Sequence, residues 1–183
     1  MAIFLYHAHI MQKVKIPQKV DPARSAAKRL DYDGIIIPGA FTRLSGLVEE
    51  ILKDVEIHLS FYVDLQGLTV FEGRAGTAVK CICQRCGESF ELNLETSFKY
   101  TTDLKKVEAL GITVDYDEAE ADEFGEIDIF SIVEDELILA LPFAPMHSGD
   151  DCSMSGDSWV FGEVEEEPKA NPFAVLNQLK SRK

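Results

Sequence analysis

Val55-Glu56-Ile57-His58-Leu59-Ser60-Phe61-Tyr62-Val63 is the stretch that decides the architecture. Its apolar residues fall at every second position, and this period of two sends alternate side chains to opposite faces of an extended strand. One face is made for a core and the other for water. Downstream, Leu68 to Phe71 and Ala75 to Ile82 are further strand segments, bounded by turns read at Gln66-Gly67 and Glu72-Gly73. Phe90 to Tyr100 alternates again through Phe90, Leu92, Leu94 and Phe98. Strands in succession with short connections predict an antiparallel meander.

Helical signals flank the meander. Asp21-Pro22 has the form of an N-cap followed by proline in the first turn, and Ala23 to Leu30 supplies helix formers, so a short helix is expected to end near Asp33-Gly34. Phe41 to Leu52 carries apolar residues at 41, 44, 47, 48, 51 and 52, a spacing that predicts a second helix with one buried stripe. The strongest helix is expected from Ile127 to Leu141, where Phe130, Val133, Leu137, Ala140 and Leu141 recur at three- and four-residue steps and Pro142 stops the run. Within it Glu134-Asp135-Glu136 point about 100° apart, cannot converge on one ion and read as surface charge. The fold class is α+β: an antiparallel β-meander sheet packed with a few helices, followed by an acidic C-terminal tail.

Three of the four cysteines lie in Lys80-Cys81-Ile82-Cys83-Gln84-Arg85-Cys86-Gly87, at a hairpin end of the meander. Cys83 and Cys86 have the C-x2-C spacing that lets two sulfurs approach one zinc ion at about 2.3 Å. His147 and Cys152 form the remaining half of a candidate site, because His7, His9 and His58 have no cysteine near them. His58 falls on the polar face of its strand, where a solvated histidine is expected. The four residues Cys83, Cys86, His147 and Cys152 predict a structural zinc ion, and without metal the thiols would serve as small apolar side chains or an oxidisable cluster. A thioredoxin-like centre would need its C-x-x-C to open a helix, whereas Glu88 to Leu94 continues in strand alternation.

Charge narrows the function classes. The 183 residues contain 32 acidic and 18 basic side chains, a net charge of -14, which opposes broad nucleic-acid binding and favours basic partners. No lysine or arginine occurs from Val107 to Pro168. In that span Asp115 to Glu123 departs from a calcium loop at Ala119 and Glu120 and reads as a solvated acidic loop. Basic residues gather instead from Met11 to Asp31, where Lys13, Lys15, Lys19, Arg24, Lys28 and Arg29 outnumber Asp21 and Asp31. With Arg85, the residues Lys13, Lys15, Arg24, Lys28 and Arg29 form a candidate RNA or partner contact, against the simpler reading of a solvated helix face. Crowded cysteines point to a reducing, cytoplasmic setting. No nucleophile elbow or phosphate loop is present in the sequence, so neither an enzyme nor a small-molecule substrate is expected.

The ends carry their own signals. Met1 to Ile10 is apolar, too short to span a bilayer and not preceded by basic residues, so these ten residues are expected to be a non-native leader before a start at Met11. Residues 11–162 then form one domain, and 163–183 an acidic linker with a short C-terminal helix. That helix opens at Asn171-Pro172 and places Phe173, Leu176 and Leu179 on one side, either as a docking helix for a partner or as a helix closing the chain's own core.

Six separated motifs resemble the bacterial YceD family, described as large ribosomal RNA subunit accumulation proteins. They are Lys15-Ile16-Pro17, Lys28 to Tyr32, Cys83-Gln84-Arg85-Cys86, Glu123 to Asp128, Val133 to Glu136 with Leu139 to Pro142, and Asn171 to Leu176. The resemblance runs in order from Met11 to Lys183. It implies a cytoplasmic, non-enzymatic factor needed for normal levels of large-subunit ribosomal RNA, with no membrane association. It also implies that Cys83 and Cys86 match the family's cysteine pair and that Cys152 matches one of several later cysteines, with Cys81 additional. The acidic charge then suggests a large-subunit ribosomal protein or a pre-ribosomal particle as partner, and direct RNA binding through the basic N-terminal segment and a zinc-ordered turn as the alternative.

Overall fold

The computed structural model describes residues 14–111, 116–148 and 151–154. The leader, Lys13 and the C-terminal helix with Phe173, Leu176 and Leu179 lie outside the described residues. In chain order the elements are β1 (Val14–Lys15), β2 (Lys19–Val20), α1 (Pro22–Lys28), β3 (Asp31–Ile36), a 3-10 turn (Pro38–Ala40), α2 (Thr42–Ser45) and β4 (Glu50–Ile51). There follow β5 (Val55–Val63), β6 (Thr69–Ile82), β7 (Ser89–Thr101), α3 (Leu104–Leu110), β8 (Asp117–Glu118), β9 (Ile127–Asp128) and α4 (Ile129–Ala140).

The meander forms as the alternation predicts. Strands β3, β5, β6 and β7 pair antiparallel, while β1 and β8 add parallel edges beside β3 and β7. On the inner face, aromatic rings bridge four strands. Phe61 and Phe71 stack at 5.4 Å, Phe71 and Tyr100 at 5.5 Å, and Tyr32 meets Phe61 edge-on at 5.7 Å. Cross-strand ring pairs of this kind fix register as well as burying area. Helix α1 packs over β5 and β6, and α4 over β7 and β6, closing the core with Ile129, Val133 and Leu137.

Three expectations need correction, each through tertiary context. Glu72-Gly73 is not a turn, since β6 runs unbroken through it. A Cβ on Gly73 would lie 2.6 Å from Phe98 and 2.7 Å from Leu59, so this glycine is the gap that those two side chains fill. The Phe41–Leu52 helix shrinks to the four residues of α2. Strand β6 extends past the start of β5 and leaves backbone groups to be satisfied there, and residues 49–52 turn extended to meet them: Glu49 N donates to Lys80 O and Leu52 N to Ala78 O, both at 2.8 Å. Leu47 and Leu52 consequently stay exposed. Helix α1 begins as predicted, with Asp21 accepting from Arg24 N at 2.9 Å, but stops at Lys28 because Arg29 enters the left-handed region (φ 49°) and releases the chain into β3.

In the acidic stretch from Tyr116 onward, Asp117–Glu118 form β8, and the Asp122 carboxylate accepts from Phe124 N and Glu126 N at 3.0 Å each and pairs with Lys19 at 2.6 Å. Strands β2 and β9 join antiparallel beside it and bind the N-terminal segment to the start of α4.

Candidate metal centre

Strands β6 and β7 form a long hairpin, and its tip is the cysteine turn. Cys83 N donates to Glu88 O at 2.8 Å and Gly87 N to Cys83 O at 2.9 Å, with Gly87 at φ 79°, a conformation that suits glycine. The closure bends Cys83 and Cys86 toward the same side. After Pro142 ends α4, the following arm crosses this tip: Gln84 N donates to Pro145 O at 2.9 Å, and the rings of Phe90 and His147 meet at 5.3 Å. The arm brings His147 and Cys152 to the turn.

The ligand atoms of Cys83, Cys86, His147 and Cys152 all lie within 4.8 Å of one another, and Cys86 Sγ is 3.7 Å from His147 Nε2. Tetrahedral zinc at about 2.3 Å from sulfur separates its ligands by roughly 3.8 Å, so a small contraction would complete the shell. The donor set fits zinc: three soft sulfurs and one imidazole. His147 Nδ1 is buried without a hydrogen-bond partner among the described residues, an unsatisfied polar atom at the cluster. Cys83 and Cys152 are buried and Cys86 half-buried.

The electrostatics favour a cation here. Burial pushes the Cys83 thiol up, but backbone N–H groups of Cys86, Arg85 and His147 aimed at its sulfur outweigh this and bring it down to about 6. Cys86 moves the other way, raised by burial and by the neighbouring Cys83 and Cys152 thiols. Three crowded sulfurs cannot all ionise beside one another without a positive charge among them. Cys81, in contrast, faces the apolar core from β6 and is raised by burial and by Glu49.

The basic candidates are not brought together. Lys15, Arg24, Lys28, Arg29 and Arg85 are all exposed. Leu30 O bonds Phe61 N, which places the end of α1 beside the Phe61–Phe71 pair, whereas Arg85 lies past Ile82, about 35 Å further along β6 by strand rise. Lys19 is paired with Asp122.

Two acidic residues read as surface charge are structural. Glu134 is buried: its Oε1 accepts from Arg43 N at 2.7 Å and Leu44 N at 3.1 Å, and its Oε2 accepts from Arg43 Nε at 2.9 Å, so α4 caps the first turn of α2. Glu136 is also buried and accepts from Tyr100 OH at 2.6 Å and Thr96 Oγ1 at 3.1 Å, and burial followed by this carboxylate pushes the Tyr100 phenol up. Only Asp135 of the three is exposed. Their positions at i, i+1 and i+2 hide this, because the residues that receive them are 90 or 40 positions away.

His58 also differs from a freely solvated side chain. Its Nδ1 is 2.6 Å from Asp33 Oδ1, and its Nε2 is 3.3 Å from Ser60 Oγ, an arrangement with the outline of a hydrolytic triad. Ser60, however, donates its one hydroxyl hydrogen to Asp31 Oδ1 at 2.6 Å. The group is wired as a polar ladder across β3 and β5, with no serine proton directed at the imidazole.

Fold and site together define a small α+β domain whose central hairpin carries a Cys3His cluster closed by a C-terminal arm. The family model described as "Large ribosomal RNA subunit accumulation protein YceD" matches residues 71–180. A Haemophilus influenzae protein of the same description is 45% identical over 174 residues, 94% of this chain and 100% of that relative. The chain therefore belongs to the YceD family. No solved structure matched it. Among the described residues, no helix is long and apolar enough to cross a membrane.

Proposed function

We propose that this chain is a non-catalytic cytoplasmic factor in the accumulation of large-subunit ribosomal RNA, acting by holding a basic large-subunit ribosomal protein or an immature particle that carries one. The observation that carries this reading is the net charge of -14 on a member of a family named for large-subunit RNA accumulation. Ribosomal proteins must be strongly basic to neutralise RNA, and a surface of opposite sign raises encounter rates and suppresses misassembly. A zinc ion held by Cys83, Cys86, His147 and Cys152 would supply one role here, fixing the arm after α4 to the hairpin tip. It is a structural role, with four protein ligands and no open coordination position. Direct RNA recognition gains less support, since Arg85 is remote from the α1 cations.

The test is charge reversal of the α1 cations. Lys28→Glu with Arg29→Glu should leave the cellular ratio of large- to small-subunit ribosomal RNA unchanged. A fall in that ratio, together with lost RNA affinity and a shallower salt dependence in vitro, would replace the proposal by direct RNA recognition.

A further inference from the structure

The last turn of α4 and the arm behind it leave apolar side chains in water. Leu139 is 78% exposed, Phe143 106% and Met146 48%, with Pro142 and Ala144 exposed between them. The backbone under them is braced at both ends: Leu141 N donates to Ile138 O at 3.2 Å, and Pro145 O accepts from Gln84 N at 2.9 Å. Exposed apolar residues such as Leu65 and Phe124 stand singly on turns, which is ordinary. Three large ones within eight residues of a braced segment form a ledge that calls for a cover.

The chain supplies a matching segment. Outside the described residues, Phe173, Leu176 and Leu179 recur at three-residue steps, the spacing of one helix side. Residues 169–183 also hold four of the 18 basic side chains and none of the 32 acidic ones, so this end is opposite in sign to the rest of the chain. Sign alone gives attraction without a place, because Asp135, one turn before Leu139, is paired with Arg43, and Arg85 Nη2 reaches Met146 Sδ at 3.8 Å. The apolar match gives the place.

Reach completes the match. The described chain ends at Met154, just past Cys152, whose sulfur lies within 4.8 Å of the His147 ligand atom, and His147 directly follows Met146 of the ledge. Phe173 comes 19 residues after Met154. A coil of that length spans about 25 Å and holds its end near the starting point at an effective concentration on the order of 1 mM. Covering each apolar surface with the other removes both from water, and the tether spares most of the entropy cost of bringing them together.

We infer that the C-terminal segment 169–183 folds back on its own chain and covers the ledge, with Phe173, Leu176 and Leu179 set against Leu139, Phe143 and Met146. The segment then closes the chain's own surface in place of docking on a partner. A second copy would bind without the help of the tether. This inference goes beyond the partner reading above and does not depend on it.

The experiment uses the full chain with photoreactive Phe143→benzoylphenylalanine, and Leu65→benzoylphenylalanine, exposed at the β5–β6 turn, as the comparison. Purified protein is irradiated at low micromolar concentration and its digest read by mass spectrometry. Crosslinks from position 143 to residues 172–180 should form within one chain, at a yield at least about tenfold above that from position 65. Leu176→Glu with Leu179→Glu should lower the yield at least about tenfold, since two buried leucines are lost. Lys180→Glu with Arg182→Glu should lower it about two- to threefold, as should raised salt. Equal yields from positions 143 and 65, a yield unmoved by the leucine pair, or crosslinks that join two chains would each overturn the inference, the last by giving the ledge to a second copy. No partner is present in these measurements, so their failure leaves the partner reading standing, and failed partner capture leaves the cover standing.

Discussion

Cys83 shows how a single side chain is assigned its chemistry by backbone. Three N–H groups reach its sulfur, while Cys81, two positions earlier, is packed in the core. Zinc-loaded protein carrying Cys86→Ser should lose the metal and melt roughly 5–10 °C lower, as the loss of 2–3 kcal/mol does in a domain of this size. Cys81→Ala should keep the metal and cost about 1 kcal/mol. Equal zinc content in both variants, measured by metal analysis, would remove the structural role. Glu134 makes the second residue-scale case. Glu134→Ala should cost about 3 kcal/mol in urea unfolding, because Arg43 N and Leu44 N lose their acceptor, whereas exposed Asp135→Ala should cost under about 1 kcal/mol. The clustering of Cys83, Cys86, His147 and Cys152 was legible in the sequence because cysteine and histidine are scarce and a C-x2-C that continues into a strand points away from a redox centre. The Glu134 cap was not, since no local pattern marks a carboxylate whose partners arrive from another element.

At the scale of elements, two glycines on β6 behave differently for a reason visible only in three dimensions. Gly73→Ala places a Cβ 2.6 Å from Phe98 and should cost about 2–3 kcal/mol through overpacking. Gly76→Ala meets only ordinary contacts at 3.4 and 3.6 Å, and should be neutral or stabilising by up to about 1 kcal/mol. Denaturant midpoints for the two variants check the contrast, and equal midpoints would contradict it. The strands from Val55 and Ser89 were legible because alternation and pleat share a period. The Glu72-Gly73 turn was misread because a glycine inside a strand and a glycine in a turn look alike until Leu59 and Phe98 are seen to close over the first. The Phe41 helix failed similarly: Glu50 and Ile51 obey the unpaired edge of β6 in preference to their own spacing.

Over the whole molecule, the charge that opposes RNA is arranged with structure beneath it. The α1 cations and the cysteine turn occupy opposite ends of one hairpin, helices α1 and α4 cover one face of the sheet, and α3 packs Val107 against Leu68 and Val70 at one end of the other. The acidic balance was plain in the composition, but its placement depended on which face of the meander the helices covered. A complex formed through such a surface should weaken steeply with salt. The most direct measurement is to recover the chain at native abundance and low salt, then identify bound protein and RNA before and after nuclease treatment and again at raised salt. The account predicts a basic large-subunit ribosomal protein that survives nuclease and is released by salt. Recovery of precursor large-subunit RNA alone, crosslinked to the segment from Met11 to Asp31, would contradict it.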